Sequence, residues 1–432
     1  MNQKPIIEID KNNLAVEILE SKTSTGCGAE SGLISIDQAL SLILEKTQRL
    51  AVESIALNTA LNRYLADDIF SEIQLPLFSQ SAVDGYALNS VDNIDSHTHF
   101  SLIGEIRAGQ NAELTLQAGQ AVRIFTGAPI PKGTTTVARQ EIVQIINNEC
   151  IEITEILTAH VDIRDEGEEV TVGQLLAEKG QRLSIGAIAS LSMAGVQRVS
   201  VYQYPKVAVV ITGDEIAKSI EDFQSGKIFD ANGPLIQAWF QQQNQSIDIF
   251  HIEDNAQTVK SLLHDLSQKY DFILTTGGVS VGDYDFIRPV ALDLGFQQIF
   301  WKVKQKPGKP MLFAELKRED LSFCYLLGLP GNPAAVYVGM QIYTQTVLNV
   351  LQGHAYFPNS FKAELTHSLK VDARERILRM RVGFDQATLK VGSLSKQQSH
   401  MLSNLMQANC LVRIPAGKSL NEGDVVQGFL IT

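Results

Sequence analysis

The chain has 432 residues, with 48 acidic against 36 basic side chains, a net charge of −12 and a pI of about 5.2. At roughly 100–200 residues per domain, about two to four domains are expected, and 44% hydrophobic with 19% charged residues excludes wholesale disorder. No run of about 18 apolar residues suggests a membrane span, and the acidic balance argues against a broad nucleic-acid surface, so a small anionic substrate needs a local cluster of positive charge.

Residues 1–32 are polar, lack a basic-then-apolar signal pattern, and read as a flexible leader. Ser35 and Gln38 form a capping-box pair ahead of Ala39, Leu40, Ile43 and Leu44, which predicts a helix. From about 71 to 166 short apolar runs alternate with Gly, Pro and Asn. Phe100-Ser-Leu-Ile, Ala121-Val-Arg-Ile-Phe, Thr136-Val-Ala and Cys150-Ile-Glu-Ile-Thr are its expected strands. A helix over 185–194 ends at Gly195.

Beyond Pro205 strands and helices alternate, the pattern of a doubly wound α/β domain. The expected strands are 206–212, 247–252, 271–276 and 323–327. The expected helices are 234–243, 255–269 (with Val259, Leu262, Leu263 and Leu266 on one face) and 334–351. Short strands from about 354 onward predict a small C-terminal β-barrel. The four cysteines, Cys27, Cys150, Cys324 and Cys410, are far apart and form no CxxC pair. A reduced cytoplasmic protein with inert thiols follows from that spacing.

Ligands of an open parallel sheet sit beyond the carboxyl ends of its strands. Four segments fall there: Thr212-Gly-Asp-Glu-Ile, Gly277-Gly-Val-Ser-Val-Gly-Asp-Tyr-Asp285, Lys306-Pro-Gly-Lys-Pro and Leu329-Pro-Gly-Asn-Pro. Each glycine loop alone is more often a tight turn than a phosphate cradle. Two of them beside a basic hairpin reverse that balance, because Gly277, Gly278, Ser280, Pro330, Gly331 and Asn332 then offer backbone to an anion at helix starts. Pro333 suits a first helical position, with Asn332 as its cap. Lys302, Lys306 and Lys309 concentrate the charge that holds a phosphate or oxyanion. Glu215, Asp230 and Asp285, with Asp283 alongside, are hard oxygen ligands suited to Mg²⁺; helix capping explains Asp230 equally well. Histidine gives no metal signal, and Asp84-Gly85 alone is an ordinary turn signal.

The ordered set Ser81-Ala-Val-Asp-Gly-Tyr-Ala, Thr126-Gly-Ala-Pro, Thr212-Gly-Asp-Glu, Phe229-Asp-Ala-Asn, Gly277-Gly-Val-Ser-Val-Gly, Lys306-Pro-Gly-Lys-Pro and Leu329-Pro-Gly-Asn-Pro resembles the molybdopterin molybdenumtransferase family, relatives of the gephyrin E-domain. The resemblance spans about residues 33–430. It implies insertion of molybdenum from molybdate into adenylyl-molybdopterin, with AMP released and Mg²⁺ assisting. It also implies an elongated homodimer whose active site is shared between subunits. The domains expected are 33–70 plus 167–205 for linkage and dimerisation, 71–166 as an inserted β-rich domain, 206–352 as the α/β domain and 353–432 as the barrel.

By the same resemblance Asp84 and Thr126 face the α/β site across the dimer interface, while Arg381 and Ser399 match polar positions of the C-terminal domain. Glu215, Asp230 and Asp285 match the family's acidic positions and Lys302, Lys306 and Lys309 its basic ones. Molybdopterin adenylyltransferase and molybdoenzyme-maturation proteins are the implied partners. Two departures stand out: Asp165, Glu166 and Glu169 replace a more basic stretch ending Gly-Glu-Asp, and Gln398 stands where glycine precedes Ser-His. The longer carboxylate of Glu169 still suits a cation. Two alternatives stay open, an adenylyltransferase and a pterin-binding scaffold with little turnover.

Overall fold

The computed structural model describes residues 32–111, 113–217, 220–280, 285–354 and 360–431; most of the expected leader, with Cys27, and also Asp283 lie outside them. The chain forms two compact units, one of residues up to 52 together with 202 onward, the other of residues 53–201.

In the first unit α1 (Ile36–Lys46) starts as the sequence predicts. Ser35 Oγ accepts the Gln38 amide at 3.1 Å, and Gln38 Oε1 accepts the Ser35 amide at 2.9 Å. The α/β core follows as β1 (Val207–Thr212), α2 (Asn232–Gln242), β2 (Ile247–Ile252), α3 (Ala256–Lys269), β3 (Phe272–Thr276), α4 (Ile287–Asp293), β4 (Gln297–Trp301), β5 (Leu312–Lys317) and β6 (Phe323–Leu329). Their sheet runs β2-β1-β3-β6-β5-β4. The first four strands are parallel, and β5 and β4 continue the sheet antiparallel, an extension not expected from the sequence.

Both faces of this sheet are buried, so β1 is apolar throughout rather than alternating. Val207, Val209 and Ile211 pack with α1 and α2, whereas Ala208 and Val210 meet Val259, Leu263 and Leu266 of α3 and Ile287 of α4. Helices on both faces make the fold doubly wound. The single helix expected over 334–351 is instead α5 (Pro333–Gly339), a π-helical segment (Met340–Thr344) and α6 (Gln345–Leu351).

The C-terminal strands are β7 (Ser360–Leu365), β8 (Glu375–Asp385), β9 (Thr388–Ser393), β10 (Cys410–Ile414) and β11 (Val425–Leu430). They close in the order β8-β9-β7-β11-β10-β8, a five-stranded barrel. Even-numbered residues Leu378, Met380 and Val382 fill its interior, while Ile377 on the outer face joins the α/β core. Burial pushes the Cys324 and Cys410 thiols up to about 12, which keeps them protonated and inert.

The second unit holds a mixed six-stranded sheet in the order Thr136–Arg139, Gly85–Leu88, Gln120–Ile124, Thr98–Ile106, Cys150–Ile153 and Val143–Asn147. Asp84-Gly85 reads as a turn in the sequence, yet Gly85 begins a strand. A Cβ there would stand 2.0 Å from the Ala138 carbonyl oxygen, so only glycine permits that strand to lie so close to its neighbour. A smaller core of Leu57, Leu65, Leu183, Leu191 and Val201 forms around helix Ile185–Met193. That helix ends at Ala194 and Gly195, the latter at φ +80°.

Candidate functional site

Strand order reverses direction between β1 and β3, because β2 follows β1 on one side and β3 lies on the other. The carboxyl ends of strands at such a switch point leave a crevice for ligands. Three of the four loops singled out by sequence meet in a cleft of about 390 Å³. Its walls include Gly277, Gly278, Ser280 and Asp285 after β3, Lys306 to Pro310 from the basic hairpin, and Pro330, Gly331 and Asn332 after β6. A fourth wall comes from the barrel: Arg374, Gln397, Gln398 and Ser399.

Local chemistry explains how the loops hold these positions. Gly277 adopts φ +87°, and a Cβ on it would come within 2.7 Å of Thr212 Oγ1, so bare backbone lets the loop after β3 rest on the end of β1. Its amide donates to the Leu329 carbonyl at 3.0 Å, joining the loops after β3 and β6. Asn232 Nδ2 donates to the Gly331 carbonyl at 2.9 Å. Pro333 occupies the first position of α5, as expected, and Asn332 its N-cap, without a side-chain capping bond. The amides of Ala334, Ala335 and Val336 donate to the carbonyls of Ser399, Asn332 and Asn332. The first turn of α5 therefore has no spare donor, and an anion here depends on the surrounding side chains and on the loop ahead of the helix.

Positive charge converges on the cleft from Lys306, Lys309 and Arg374. Lys306 Nζ lies 2.9 Å from Asp372 Oδ2, and that bond leads the causes holding the Asp372 carboxyl below the usual carboxylate range. The Arg374 amide donates to Asp372 Oδ1 at 3.1 Å, so one aspartate organises two cations. Lys302 is not part of this lining; its ammonium sits 4.1 Å from the centre of the Trp301 ring, a cation–π contact. Arg381 stands exposed on β8 and also lies outside the lining, whereas Ser399 is within it.

Arg379, two residues before Arg381 on the same face of β8, is 1% exposed. Its guanidinium donates to the carbonyls of Met401, Lys396 and Gln398, the last two at 3.1 Å. It thereby holds the loop that presents Gln398 and Ser399. Neither Arg374 nor Arg379 belongs to a motif visible in the sequence; only strand parity could have pointed to Arg379.

The acidic residues take different roles. Asp230 Oδ1 accepts the amides of Asn232 and Gly233 at 2.9 and 3.0 Å, and Oδ2 lies 3.1 Å from His251 Nε2. Helix capping, the alternative open from sequence, thus accounts for one oxygen of Asp230. Glu215 is exposed, its carboxylate folded over Gly213. Asp254, not anticipated from the sequence, lies nearby. Burial is the largest influence raising its carboxyl pKa, opposed by the Thr212 hydroxyl and reinforced by the charge of Asp214. Among the described residues no three His, Cys, Asp or Glu side chains cluster so as to hold a metal ion. Among the described residues that line the cleft, neither Glu215 nor Asp230 is present.

Asp84 and Thr126 belong to the other unit, and its sheet brings them together. Gly85 pairs with Ile124, so Thr126 donates to Asp84 Oδ1 through both its amide and its hydroxyl at 2.8 Å. The Thr126 amide, then its hydroxyl, hold the Asp84 carboxyl below its ordinary value. Glu169, in the same unit, is exposed, and its amide donates to the Leu75 carbonyl at 2.9 Å. In the acidic stretch before it, the Asp165 amide donates to Glu168 Oε2, and Asp165 Oδ2 lies 2.9 Å from His160 Nε2.

Comparison with known proteins covers nearly the whole chain. Residues 34–195 match the MoeA N-terminal region (domains I and II), 208–349 the probable molybdopterin binding domain, and 362–430 the MoeA C-terminal region (domain IV). A molybdopterin molybdenumtransferase of Haemophilus influenzae is 34% identical over 411 residues, 93% of this chain and 98% of that protein. One from Staphylococcus epidermidis is 31% identical over 408 residues, 92% of this chain and 95% of that protein. The solved molybdopterin biosynthesis moeA protein from Pyrococcus horikoshii OT3 superposes with a TM-score of 0.76 at 25% identity, covering 92% of this chain and 100% of that one. With the cleft at the strand ends, the closed barrel beside it and matches along most of its length, the chain belongs to the molybdopterin molybdenumtransferase family, transferases of molybdenum cofactor biosynthesis.

Proposed function

We propose that the protein inserts molybdenum from molybdate into adenylyl-molybdopterin and releases AMP, with Mg²⁺ assisting. The observation that carries this reading is the convergence of Lys306, Lys309 and Arg374 on one cleft in a chain of net charge −12. Joining an oxometalate dianion to a phosphate-capped dithiolene brings like charges together, and fixed cations in a sheltered cleft lower that cost. Lys309 and Arg374 bind the oxyanion or phosphate, and Lys306 exchanges its partner Asp372 for substrate. Ser280, Asn332 and Ser399 orient the bound groups by hydrogen bonds. Asp285 orients water or pterin at the cleft wall. Mg²⁺ when bound supplies phosphate charge neutralisation, with Glu215 and Asp230 its carboxylates and Glu169 a further candidate.

In this reading the working form is a cytoplasmic homodimer, and the Asp84–Thr126 pair of one chain serves the cleft of its partner. A molybdopterin adenylyltransferase supplies the substrate, and maturation proteins for molybdoenzymes accept the product. The test is to incubate the purified chain with adenylyl-molybdopterin, Mg²⁺ and molybdate, and to follow AMP and metal-loaded pterin. Molybdate-dependent release of AMP is the expected result. Formation of adenylyl-molybdopterin from ATP would select the adenylyltransferase alternative. Pterin binding with no molybdate-dependent chemistry would select a scaffold.

A further inference from the structure

Gln305 is fully buried, although the basic loop that follows it lines the cleft. A buried amide is costly unless its donors and acceptor are met. Here they are: Nε2 donates to the carbonyls of Pro307 and Gly308 at 3.0 and 3.3 Å, and Oε1 accepts a hydrogen bond from the Tyr343 hydroxyl. A leucine would fill the same space, but it would leave two loop carbonyls without donors.

Tyr343 is also fully buried and lies in the π-helical segment Met340–Thr344, a distortion that often marks functional positions in helices. Burial holds its phenol well above the ordinary value, so it remains a donor across the working pH range. The backbone of Gln305 is fixed as well, in a short parallel pairing with β8 that sets Gln305 against Glu375 and Lys306 against Arg376. A Cβ on Gly308 would stand 2.9 Å from Gln305 Nε2, so the loop lies directly on this amide.

We propose that Tyr343 and Gln305 are positioning residues for the anion cleft. They draw the Pro307 and Gly308 carbonyls inward and so set where Lys306 and Lys309 meet an oxyanion. This inference rests on the functional reading above only for the identity of that oxyanion, molybdate.

The test compares the full chain with Gln305→Met, which keeps length and removes both donors, and Tyr343→Phe, which removes one hydroxyl. Molybdate is titrated calorimetrically, and hydrogen exchange is followed at the amides of Lys306, Gly308 and Lys309. For Gln305→Met the molybdate Kd is expected to rise about tenfold, and for Tyr343→Phe about threefold or more. The KM for molybdate rises in step, while kcat changes less than about twofold. A purely structural role would leave the Kd of the folded variant where it was; that result overturns the proposal. Should Gln305→Met not fold, Tyr343→Phe decides by the same criterion. If the parent chain does not bind molybdate, the functional reading fails, and hydrogen exchange decides the positioning role. Exchange faster by about tenfold at the three amides supports it, and unchanged exchange overturns it.

Discussion

Replacing Arg379 by methionine isolates the device that shapes the barrel wall of the cleft. The guanidinium donates to three carbonyls, of Met401, Lys396 and Gln398, and no carboxylate pairs with it among the described residues. Charge-assisted bonds contribute about 1.5–3 kcal/mol each, so their gross loss is about 4–9 kcal/mol. Against that, methionine removes a buried charge whose desolvation costs several kcal/mol, the same burial that holds the Arg379 pKa below the ordinary arginine value. Water reaching the freed carbonyls of this loop recovers part of the rest. The net destabilisation of the loop is therefore about 2–4 kcal/mol.

Because the chain has two units, a single unfolding transition is the wrong readout, and segment-resolved hydrogen exchange is the right one. The Met401 amide, bonded to the Gln398 carbonyl, should lose protection by about 2–4 kcal/mol, while amides pairing β8 with β9 serve as the control. Molybdate-dependent turnover should fall alongside. Arg379→Lys should rescue little, since one ammonium does not span three acceptors in a planar fork. Unchanged protection at Met401, or equal loss throughout the barrel, would refute the reasoning.

Other perturbations separate the remaining parts. Thr126→Val should raise the Asp84 carboxyl pKa toward the ordinary value of about 3.9, read by NMR titration. Because the folded-state value is depressed, the stabilisation is present above the ordinary range and fades as pH falls through the folded value; in Thr126→Val that acid-side dependence should shrink. Asp372→Asn releases Lys306, whose side chain is half exposed, so molybdate affinity should improve by no more than about fivefold, the scale of a surface ion pair. Arg374→Ala should weaken molybdate binding about tenfold, whereas Arg381→Ala, in solvent, should change it less than about twofold. Glu215→Gln should abolish AMP release at limiting Mg²⁺, and unchanged turnover would remove Glu215 from the site.

The parts of this molecule legible in its sequence are those with local causes. The capping box of Ser35 and Gln38 starts α1, and the spacing of Val259, Leu263 and Leu266 gives α3 its buried face. Glycine and proline mark the cleft loops because a tight turn at a strand end demands them. The strand Gly85–Leu88 was hidden because Asp-Gly has the same composition in a turn, and the need for glycine arises from Ala138, more than fifty positions away.

Ser399 and Gln398 carry a motif, but the residue that holds their loop, Arg379, is set by register. Odd-numbered positions of β8 share one outward face. Along it Ile377 meets the α/β core, Arg379 lies beneath the 396–401 loop and Arg381 emerges into solvent. Sequence alone marks all three as equivalent by parity. Lys306 was visible as a charge, but its tie to Asp372 depends on the barrel segment brought beside the hairpin.

The central claim is that the crevice between the loops after β3 and β6, the basic hairpin and the barrel wall receives the oxometalate. Anomalous diffraction at the molybdenum absorption edge, from crystals soaked in molybdate, tests it most directly. A peak within bonding distance of Lys309, Arg374 and Ser399 is the predicted result. A peak elsewhere on the chain, with this cleft empty at saturating molybdate, would contradict it.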